Sequence, residues 1–429
     1  MKSQLKIVAR IQKPESRNEQ KKLDSRFKIQ DSKRKPKVFV GLSGGVDSAV
    51  SAALLKRDGF DVTGVFIKAW TPEGYPCSWK EDRRSAMKVA AILDIPFITL
   101  DLEKEYKKDV VDYMMAEYKA GRTPNPDVMC NKEIKFGHFL KFALKNGADF
   151  VATGHYAQKL KAESLELRGK NKISKAPSYK PALSADRLKA LSYFLSEGKD
   201  KNKDQSYFLW TLTQKQLKHA LFPVGHLEKK EVRKLAGKFG LPQETRKDSQ
   251  GLCFLGKIEM KEFLRNFIRP KIGDVLLASR SFDEMGNEER KVIGFHNGAF
   301  FFTIGERHGF NITKNSSDSK PLYVVSKDLD KNTITVADKI YLEKMKERIL
   351  PKEVFIKDIN WIIGEPDFSK KYKCRIRYRQ ELIGCLLSKS NEGVKVIFDE
   401  PELGVSSGQS LVVYDGDVCM GGGIMEIKN

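Results

Sequence analysis

A short glycine-rich loop is the first part of the chain whose residue types could do chemistry. The segment SGGVDS, from Ser43 to Ser48, follows the apolar run KVFVGL and precedes the run AVSAALL. Between a strand and a helix, such a loop lets backbone N–H groups at the helix N-terminus meet an anion, and glycines keep side chains out of its way. The loop therefore predicts a phosphate site, although a turn that only joins a strand to a helix can have a similar composition.

Two common nucleotide-binding motifs do not fit this loop. It lacks the Lys-Ser/Thr ending of a Walker A loop, and it lacks the G-x-G-x-x-G spacing of a dinucleotide fold. Neither ordinary NTPase chemistry nor dehydrogenase chemistry is indicated.

Cys130 is the first of two cysteines whose surroundings could support nucleophilic chemistry. Pro124 and Pro126 fix an extended turn before it, and apolar residues at helical spacing follow it, so we expect the thiol just before a helix. A helix N-terminus and the nearby Lys132 and Lys135 favour the thiolate, which is the reactive form. Taken alone, a cysteine in such a place is more often structural.

Cys253 is the second, and it follows a polar, turn-forming stretch, DSQG at 248–251. Taken alone, it too can be a half-buried strand cysteine. Asp127, three residues before Cys130, is placed to exchange a proton.

The elements that must position these residues change in style along the chain. From residue 37, short β-rich runs alternate with helical periods, which predicts a parallel sheet covered on both faces. A polar stretch at 158–203 interrupts this pattern and is interpreted as a basic surface insertion. Beyond residue 272, short strands and turn residues predict small β domains or barrels. We expect a basic, disordered arm at 1–36, an α/β domain at 37–222, a central domain with the second cysteine at 223–342 and a C-terminal β-barrel at 343–429.

Composition narrows the class of protein. The 429 residues include 78 Lys and Arg against 56 Asp and Glu, a formal net charge of +22, which favours a polyanionic partner such as nucleic acid over a basic background composition. Six cysteines without zinc-type spacing indicate a reducing compartment. The chain has no apolar run that is long enough to predict a membrane span.

The phosphate loop resembles the PP-loop of the ATP pyrophosphatase superfamily, whose members cleave ATP between the α and β phosphates to adenylate a carbonyl oxygen. The resemblance implies that the loop binds ATP and holds the pyrophosphate, and that Asp47 helps to hold Mg²⁺. The implied ATP-binding residues are Gly41, Leu42, Ser43, Gly44, Gly45, Val46, Asp47 and Ser48.

A larger set of motifs resembles one family within that superfamily, the tRNA-specific 2-thiouridylases. From residue 37 to the C-terminus the chain carries GLSGGVDS, GRTPNPDVMCNKEIKF, ATGHYA, KDQSYFLW, DSQGLCF, HNGAFFFTIGER and RYRQ in order. The resemblance implies a PP-loop domain, a small central domain and a C-terminal β-barrel. It also implies that ATP adenylates O2 of the wobble uridine of a tRNA, so that AMP becomes a good leaving group.

The same resemblance assigns functions to individual residues. Cys253 would carry a persulfide sulfur, and Cys130 would be the nucleophile that releases it, closing a transient disulfide between the two. Asp127 would act as acid or base, beside Asn125 and Pro126 at the target base. ATP would also contact Gly154 and the backbone of Ile67, where many relatives have Met.

The implied tRNA contacts lie in several segments. Arginine forks bind phosphates, and aromatic rings stack on splayed bases, although the same residues can form ordinary solvated strand faces. The family contacts match His155, Lys203, Asp204, Gln205, Arg377, Tyr378 and Gln409. Ser407 replaces a usual Pro, which we expect to loosen its turn, and Glu306 replaces a usual Gln.

The partners expected from the resemblance are tRNAs for Lys, Glu and Gln and a cysteine desulfurase or sulfur-relay protein. The acidic residues in the arm favour a cytoplasmic location over a mitochondrial presequence. Two other functions stay open at this point. One is another adenylating PP-loop enzyme, such as an amidotransferase or a lysine-adding tRNA ligase, and the other is a non-catalytic RNA-binding protein.

Overall fold

The computed structural model describes residues 34–73, 79–161, 193–244, 246, 260–278, 290–313 and 321–427. Its first layer is a parallel five-stranded sheet with the strand order β3-β2-β1-β4-β7. These strands are β1 (Lys37–Gly41), β2 (Asp61–Lys68), β3 (Phe97–Asp101), β4 (Phe150–Ala152) and β7 (Ala220–Leu221). Because the connections from β1 and from β4 run to opposite sides, a crevice opens between their carboxyl ends, where ligands of such sheets bind.

Helices flank this sheet. The first two helices pack against it mainly through small and branched side chains. The last helix, which begins at Lys229, packs on the first. They are α1 (Val46–Arg57), α2 (Trp79–Ile92), α3 (residues 103–119), α4 (residues 126–145), α5 (Gln214–His219) and α6 (Lys229–Lys238), with a 3₁₀ turn at Ser206–Leu209. Gly59 follows the end of helix α1 and Gly147 the end of helix α4, both with positive φ, as expected of glycines that close helices.

Helix α4 has a defined beginning and an irregular middle. The Asn125 side chain accepts a hydrogen bond from the Val128 N–H at 3.3 Å, and Pro126 occupies the first turn. From Cys130 to Phe139 the helix is π-helical. Such wide turns are rare and frequently occur at functional sites.

A hairpin connects the first domain to the last. Strands β5 (Ala157–Lys161) and β6 (Tyr193–Glu197) are antiparallel, and β6 also pairs with β18 (Val418–Glu426) through Val418–Ser196 and Cys419–Leu195. The expectation of a plain surface insertion at 158–203 is therefore wrong at both of its ends, because they form strands that join a larger sheet. Residues 162–192 lie outside the described residues.

The central domain contains a mixed five-stranded sheet with the order β10-β9-β8-β12-β11. All neighbours in it are antiparallel except β8 and β12, which are parallel. Its elements are α7 (Met260–Arg265), β8 (Gly273–Leu277), β9 (Lys291–His296), a 3₁₀ turn at Ala299–Phe301, β10 (Asn311–Ile312), β11 (Leu322–Asp328), β12 (Thr333–Asp338) and α8 (Lys339–Ile349).

The C-terminal domain is a closed barrel of six strands, β13-β16-β15-β14-β17-β18, in which β18 pairs back with β13. Besides β18 these are β13 (Glu353–Trp361), β14 (Lys371–Arg375), β15 (Ile383–Ser390), β16 (Gly393–Phe398) and β17 (Ser410–Asp415). Closure removes the open edges of the sheet. The fold class expected from the sequence, a parallel-sheet domain followed by a central domain and a β-barrel, is confirmed. Within the described ranges, no helix has both the length and the apolarity that a membrane span needs.

Candidate active site

The phosphate loop lies at the carboxyl end of β1 and leads directly into α1. The Ser48 hydroxyl donates to the Gly45 carbonyl oxygen at 3.1 Å, and the Ser43 N–H donates to the Ser48 hydroxyl at 3.3 Å. Gly44 has a φ of +79°, which a residue with a side chain rarely adopts. The loop is therefore curled onto the first turn of α1, whose positive dipole end faces it.

Gly154 closes the other side of the loop. It follows β4, and a Cβ atom at this position would lie 2.7 Å from the Ser48 nitrogen and 2.8 Å from the Asp47 carbonyl carbon. Only glycine allows the two backbones to come this close. The structure thus brings together the loop and Gly154, which are far apart in sequence.

Asp47 carries the negative charge of the loop, and its partners come from distant segments. The Lys229 ammonium lies 2.7 and 2.8 Å from the two carboxylate oxygens, and the Tyr156 hydroxyl donates to one of them at 2.7 Å. Neither Lys229 nor Tyr156 was predicted as a site residue, although Tyr156 lies within the ATGHYA motif. A single carboxylate beside a phosphate site fits Mg²⁺, which is held mainly by phosphates and waters. Among the described side chains, no group of three His, Cys, Asp or Glu residues forms a separate metal site.

A second layer of contacts supports the loop from outside. Arg246 donates to the Gly44 carbonyl oxygen at 2.9 Å and forms an ion pair with Asp82 of α2. The Ser85 hydroxyl donates to the same carbonyl at 3.1 Å, and the Gln243 amide donates to that hydroxyl at 3.1 Å. These residues lie near the motifs, but nothing in their local sequence indicates the contact.

Cys130 lies inside α4 and its side chain has no exposed surface. We expected it just before the helix, but the helix already begins at Pro126, so that the thiol is one turn further in. The Asn125–Pro126 pair is itself a helix-start signal that could have corrected this boundary. Asn125 and Asp127, at the start of the same helix, are half-buried.

Asn131, next to Cys130, was also missed. Its amide nitrogen donates to the Phe208 carbonyl oxygen at 3.2 Å, whereas its buried amide oxygen has no hydrogen-bond partner among the described residues. A buried acceptor without a partner is costly, which is a common feature of sites that bind a ligand.

His155 is buried between Thr153 and Lys135. Its Nδ1 lies 2.8 Å from the Thr153 hydroxyl oxygen, and its Nε2 lies 3.5 Å from the Lys135 ammonium. Because an ammonium can only donate, Nε2 accepts and Nδ1 carries the proton. Burial, with a smaller effect of the Lys135 charge, holds the pKa of His155 well below its usual value, so that the ring is neutral.

Ile67 is buried near the carboxyl end of β2, with its backbone in register with Leu100. It therefore lies on the same edge of the sheet as the phosphate loop. Cys253 lies outside the described residues, and so does its expected pairing with Cys130.

The residues expected to contact tRNA differ in how deeply they are buried. Asp204 is buried and accepts hydrogen bonds from Ser206 and from Arg375, at 2.6 Å in the second case. Arg375 also pairs with Glu197 at 2.6 Å. A direct contact of Asp204 with tRNA stays a prediction that requires this buried network to open.

Other residues of this set lie at the junction between the first domain and the barrel. Gln205 accepts a hydrogen bond from the Tyr156 N–H at 3.0 Å. Tyr378 packs on Phe208 with the ring centroids 4.6 Å apart, and Arg377 donates to the Ile304 carbonyl oxygen. Lys203 is half-buried next to Asp204.

Comparison with known proteins follows the same division of the chain. Residues 36–257 match the family model described as tRNA methyl transferase HUP domain, residues 261–338 the tRNA methyl transferase PRC-barrel domain, and residues 351–425 the aminomethyltransferase beta-barrel domain. Over 397 residues the chain is 40% identical to the tRNA-specific 2-thiouridylase MnmA of Nitrosomonas europaea, covering 91% of this chain and 98% of the relative.

The chain belongs to the MnmA family of tRNA-specific 2-thiouridylases. It is also similar to the family members from Flavobacterium johnsoniae, at 39% identity, and Halalkalibacterium halodurans, at 41%. Each alignment covers 91% of this chain, with 99% and 94% of the respective relatives.

Ser407 and Glu306, which the sequence analysis singled out, have defined partners. The Ser407 hydroxyl accepts a hydrogen bond from the Ile427 N–H at 3.0 Å, and its carbonyl oxygen accepts one from Thr123 at 2.8 Å. The expected loosening of this turn stays a prediction. Glu306 forms an ion pair with Lys261 of α7 at 2.6 Å, which a Gln could not form.

Proposed function

We propose that this protein transfers sulfur to C2 of the wobble uridine of tRNA while converting ATP to AMP and pyrophosphate. The observation that carries the proposal is the curled phosphate loop closed by Gly154, in a chain that belongs to the MnmA family and holds Cys130 on an irregular helix. ATP and Mg²⁺ are the expected co-substrate and ion.

The first half of the reaction activates the base. Uridine O2 attacks the α-phosphorus, the bond from that phosphorus to the bridging oxygen breaks, and pyrophosphate leaves with the electron pair. N–H groups of the loop stabilise the charge that develops on the leaving group. Asp127 serves as acid or base near the target, which Asn125 and Pro126 contact.

The second half delivers sulfur. The Cys130 thiolate attacks the inner sulfur of the Cys253 persulfide, which forms a Cys130–Cys253 disulfide and expels hydrosulfide. Hydrosulfide adds to C2, and AMP leaves. A thiol reductant must then reduce the disulfide before the next turnover. Because Cys130 is fully buried, the attack requires the Cys253 segment to reach it inside the protein.

The test is nucleoside mass spectrometry of tRNA incubated with the protein, ATP, Mg²⁺ and a persulfide source. Cys130→Ala and Cys253→Ala should abolish 2-thiouridine. Cys419→Ala is the matched control, since it also removes a thiol with no exposed surface, but from the barrel. Formation of AMP without 2-thiouridine by the unaltered protein would mean that another adenylating reaction takes place. Absence of both products with a competent tRNA would favour a non-catalytic RNA-binding protein.

The finer assignments belong to the same proposal. The substrates are tRNAs for Lys, Glu and Gln, the sulfur comes from a cysteine desulfurase or relay protein, and the protein acts in the cytoplasm. The basic arm at 1–36 adds affinity for tRNA, so its deletion should weaken salt-sensitive tRNA binding and leave turnover at saturation unchanged.

A further inference from the structure

Lys229 occupies an unusual place for a lysine. It is 182 residues away from Asp47 in sequence, yet its ammonium contacts both carboxylate oxygens of Asp47 in the phosphate loop. Its side chain is only 13% exposed. The ammonium also lies 5.7 Å from the centre of the Tyr156 ring.

The main chain around Lys229 is fixed. Its N–H donates to the Asp200 carboxylate at 3.0 Å, and the Glu228 N–H donates to Glu231 at 2.6 Å, which closes the first turn of α6. Val232 and Ala236 then anchor the helix in the core beside α1. The ammonium is thereby held at the loop by a rigid element of the fold.

Stability alone does not account for this arrangement. A cation at a helix N-terminus opposes the helix dipole, and a largely buried ion pair loses hydration that its attraction recovers only in part. Asp47 in turn faces a loop that attracts anions. A lysine that only neutralised Asp47 would leave no positive charge for the phosphates that the loop binds.

We propose that Lys229 is a further catalytic residue, which binds the β and γ phosphates of ATP and the departing pyrophosphate. When ATP enters, the Lys229 ammonium exchanges a contact with Asp47 for phosphate oxygens, and the Asp47 carboxylate would then be free to hold Mg²⁺. As the bond between the α-phosphorus and the bridging oxygen breaks, the Lys229 ammonium neutralises the charge on the leaving oxygen. The catalytic part of this inference rests on the proposed function, whereas the binding of pyrophosphate by Lys229 does not.

The first experiment measures binding of inorganic pyrophosphate by calorimetry without a divalent metal. Lys229→Met should weaken binding at least about tenfold. Lys230→Met is the matched control, because Lys230 lies on the same helix, is 75% exposed and, within the described part of the chain, forms its ion pair with nearby Glu228 at 2.7 Å. It should change binding less than about twofold. Unchanged binding in Lys229→Met, or no binding by the unaltered protein, would overturn the proposal.

A double variant separates phosphate binding from neutralisation of Asp47. If Lys229 only cancels that charge, Asp47→Asn combined with Lys229→Met should restore pyrophosphate binding. If Lys229 binds phosphate itself, the double variant stays weak. Restored binding would therefore contradict the proposal.

The second experiment measures AMP release with tRNA. By comparison with removal of one preorganised donor from an enzyme site, Lys229→Met should lower kcat by about 100-fold or more without changing the KM for tRNA. Lys229→Arg should recover part of the loss. Equal AMP release by Lys229→Met and the unaltered protein would refute the catalytic part. If the unaltered protein releases AMP but forms no 2-thiouridine, the proposed sulfur transfer fails while the assignment of Lys229 stands.

Discussion

The side-chain amide of Gln409 donates a hydrogen bond to the Pro124 carbonyl oxygen across 3.1 Å. Beside this contact, the Thr123 N–H donates to the Ser407 carbonyl oxygen at 2.8 Å. The C-terminal barrel thus holds the segment that leads into α4, and Pro124 in this segment lies six residues before Cys130. The barrel positions the start of the cysteine helix in addition to any contact that it makes with tRNA.

Removing the Gln409 amide should loosen this segment. Gln409→Ala leaves the Pro124 carbonyl without its donor, and a net loss of about 1 kcal/mol corresponds to roughly a fivefold lower kcat/KM for tRNA. The measurement is 2-thiouridine formation at limiting tRNA. Gln158→Ala is the control, since it removes a similar amide contact, to the Glu197 carbonyl oxygen at 3.0 Å, from β5. Equal losses in both variants would show that the position of the bond is irrelevant.

The buried network around Arg375 should dominate the stability of the junction between the barrel and the first domain. Arg375→Met leaves Glu197 and Asp204 buried without their shared cation, so we expect a loss of about 3–5 kcal/mol in the free energy of unfolding. Denaturant titration measures it. Lys371→Met on the same strand breaks an exposed pair with Asp399 and should cost less than about 1 kcal/mol. A similar small loss for Arg375→Met would contradict this account.

His155 should make the protein less stable in mild acid. Its folded-state pKa lies well below the usual value because the ring is buried, so below about pH 6.5 the unfolded chain binds a proton that the folded protein does not. Stability therefore falls as the pH drops, by up to about 1.4 kcal/mol per pH unit for this one group. His155→Asn should flatten the dependence between about pH 5 and 7, measured by denaturant titration.

Burial also lowers the pKa of His296. In the His155→Asn variant, His296 therefore still contributes to the pH dependence of stability with the same sign. His308 is exposed, and His308→Asn serves as the control for removal of an imidazole from the surface. An unchanged slope in His155→Asn would mean that the ring is protonated in the folded protein.

Gly154 should not tolerate a methyl group. In Gly154→Ala the new Cβ would meet the backbone of Asp47 and Ser48 and push the loop away from β4. We expect the KM for ATP in AMP formation to rise at least about tenfold, the effect of about 1.4 kcal/mol. Gly147→Ala is the control, because it strains a positive φ but has no atom within 4 Å of the new Cβ. It should cost stability and leave the KM for ATP unchanged.

Local signals in the sequence account for part of this picture. The phosphate loop was predictable because glycines between a strand and a helix leave few alternatives. The fold class followed from the alternation of strands and helices and from the later run of short strands. Cys130 was recognised, but its burial was not, since the apolar stripe of α4 does not show which side chains from elsewhere cover the thiol.

The remaining features depend on contacts between distant segments. Lys229 and Arg246 contact the loop although they lie about 180 and 200 positions after it in the sequence. Their neighbouring residues are typical of an ordinary charged helix or turn. Asp204 belongs to a polar motif that is typical of a surface, yet a buried Arg375 compensates its charge. Pairing of this kind is decided by the tertiary fold, which local composition cannot specify.

The pairing of β6 with β18 has a consequence for synthesis of the chain. Ser196 leaves the ribosome long before Val418, its partner in the sheet. At roughly 5–20 residues per second, the hairpin edge waits ten seconds or more for its neighbour, and an unpaired edge is a template for aggregation. A stop codon that removed only β18 would therefore make the nucleotide-binding domain prone to aggregation, because the edge of β6 would never be covered.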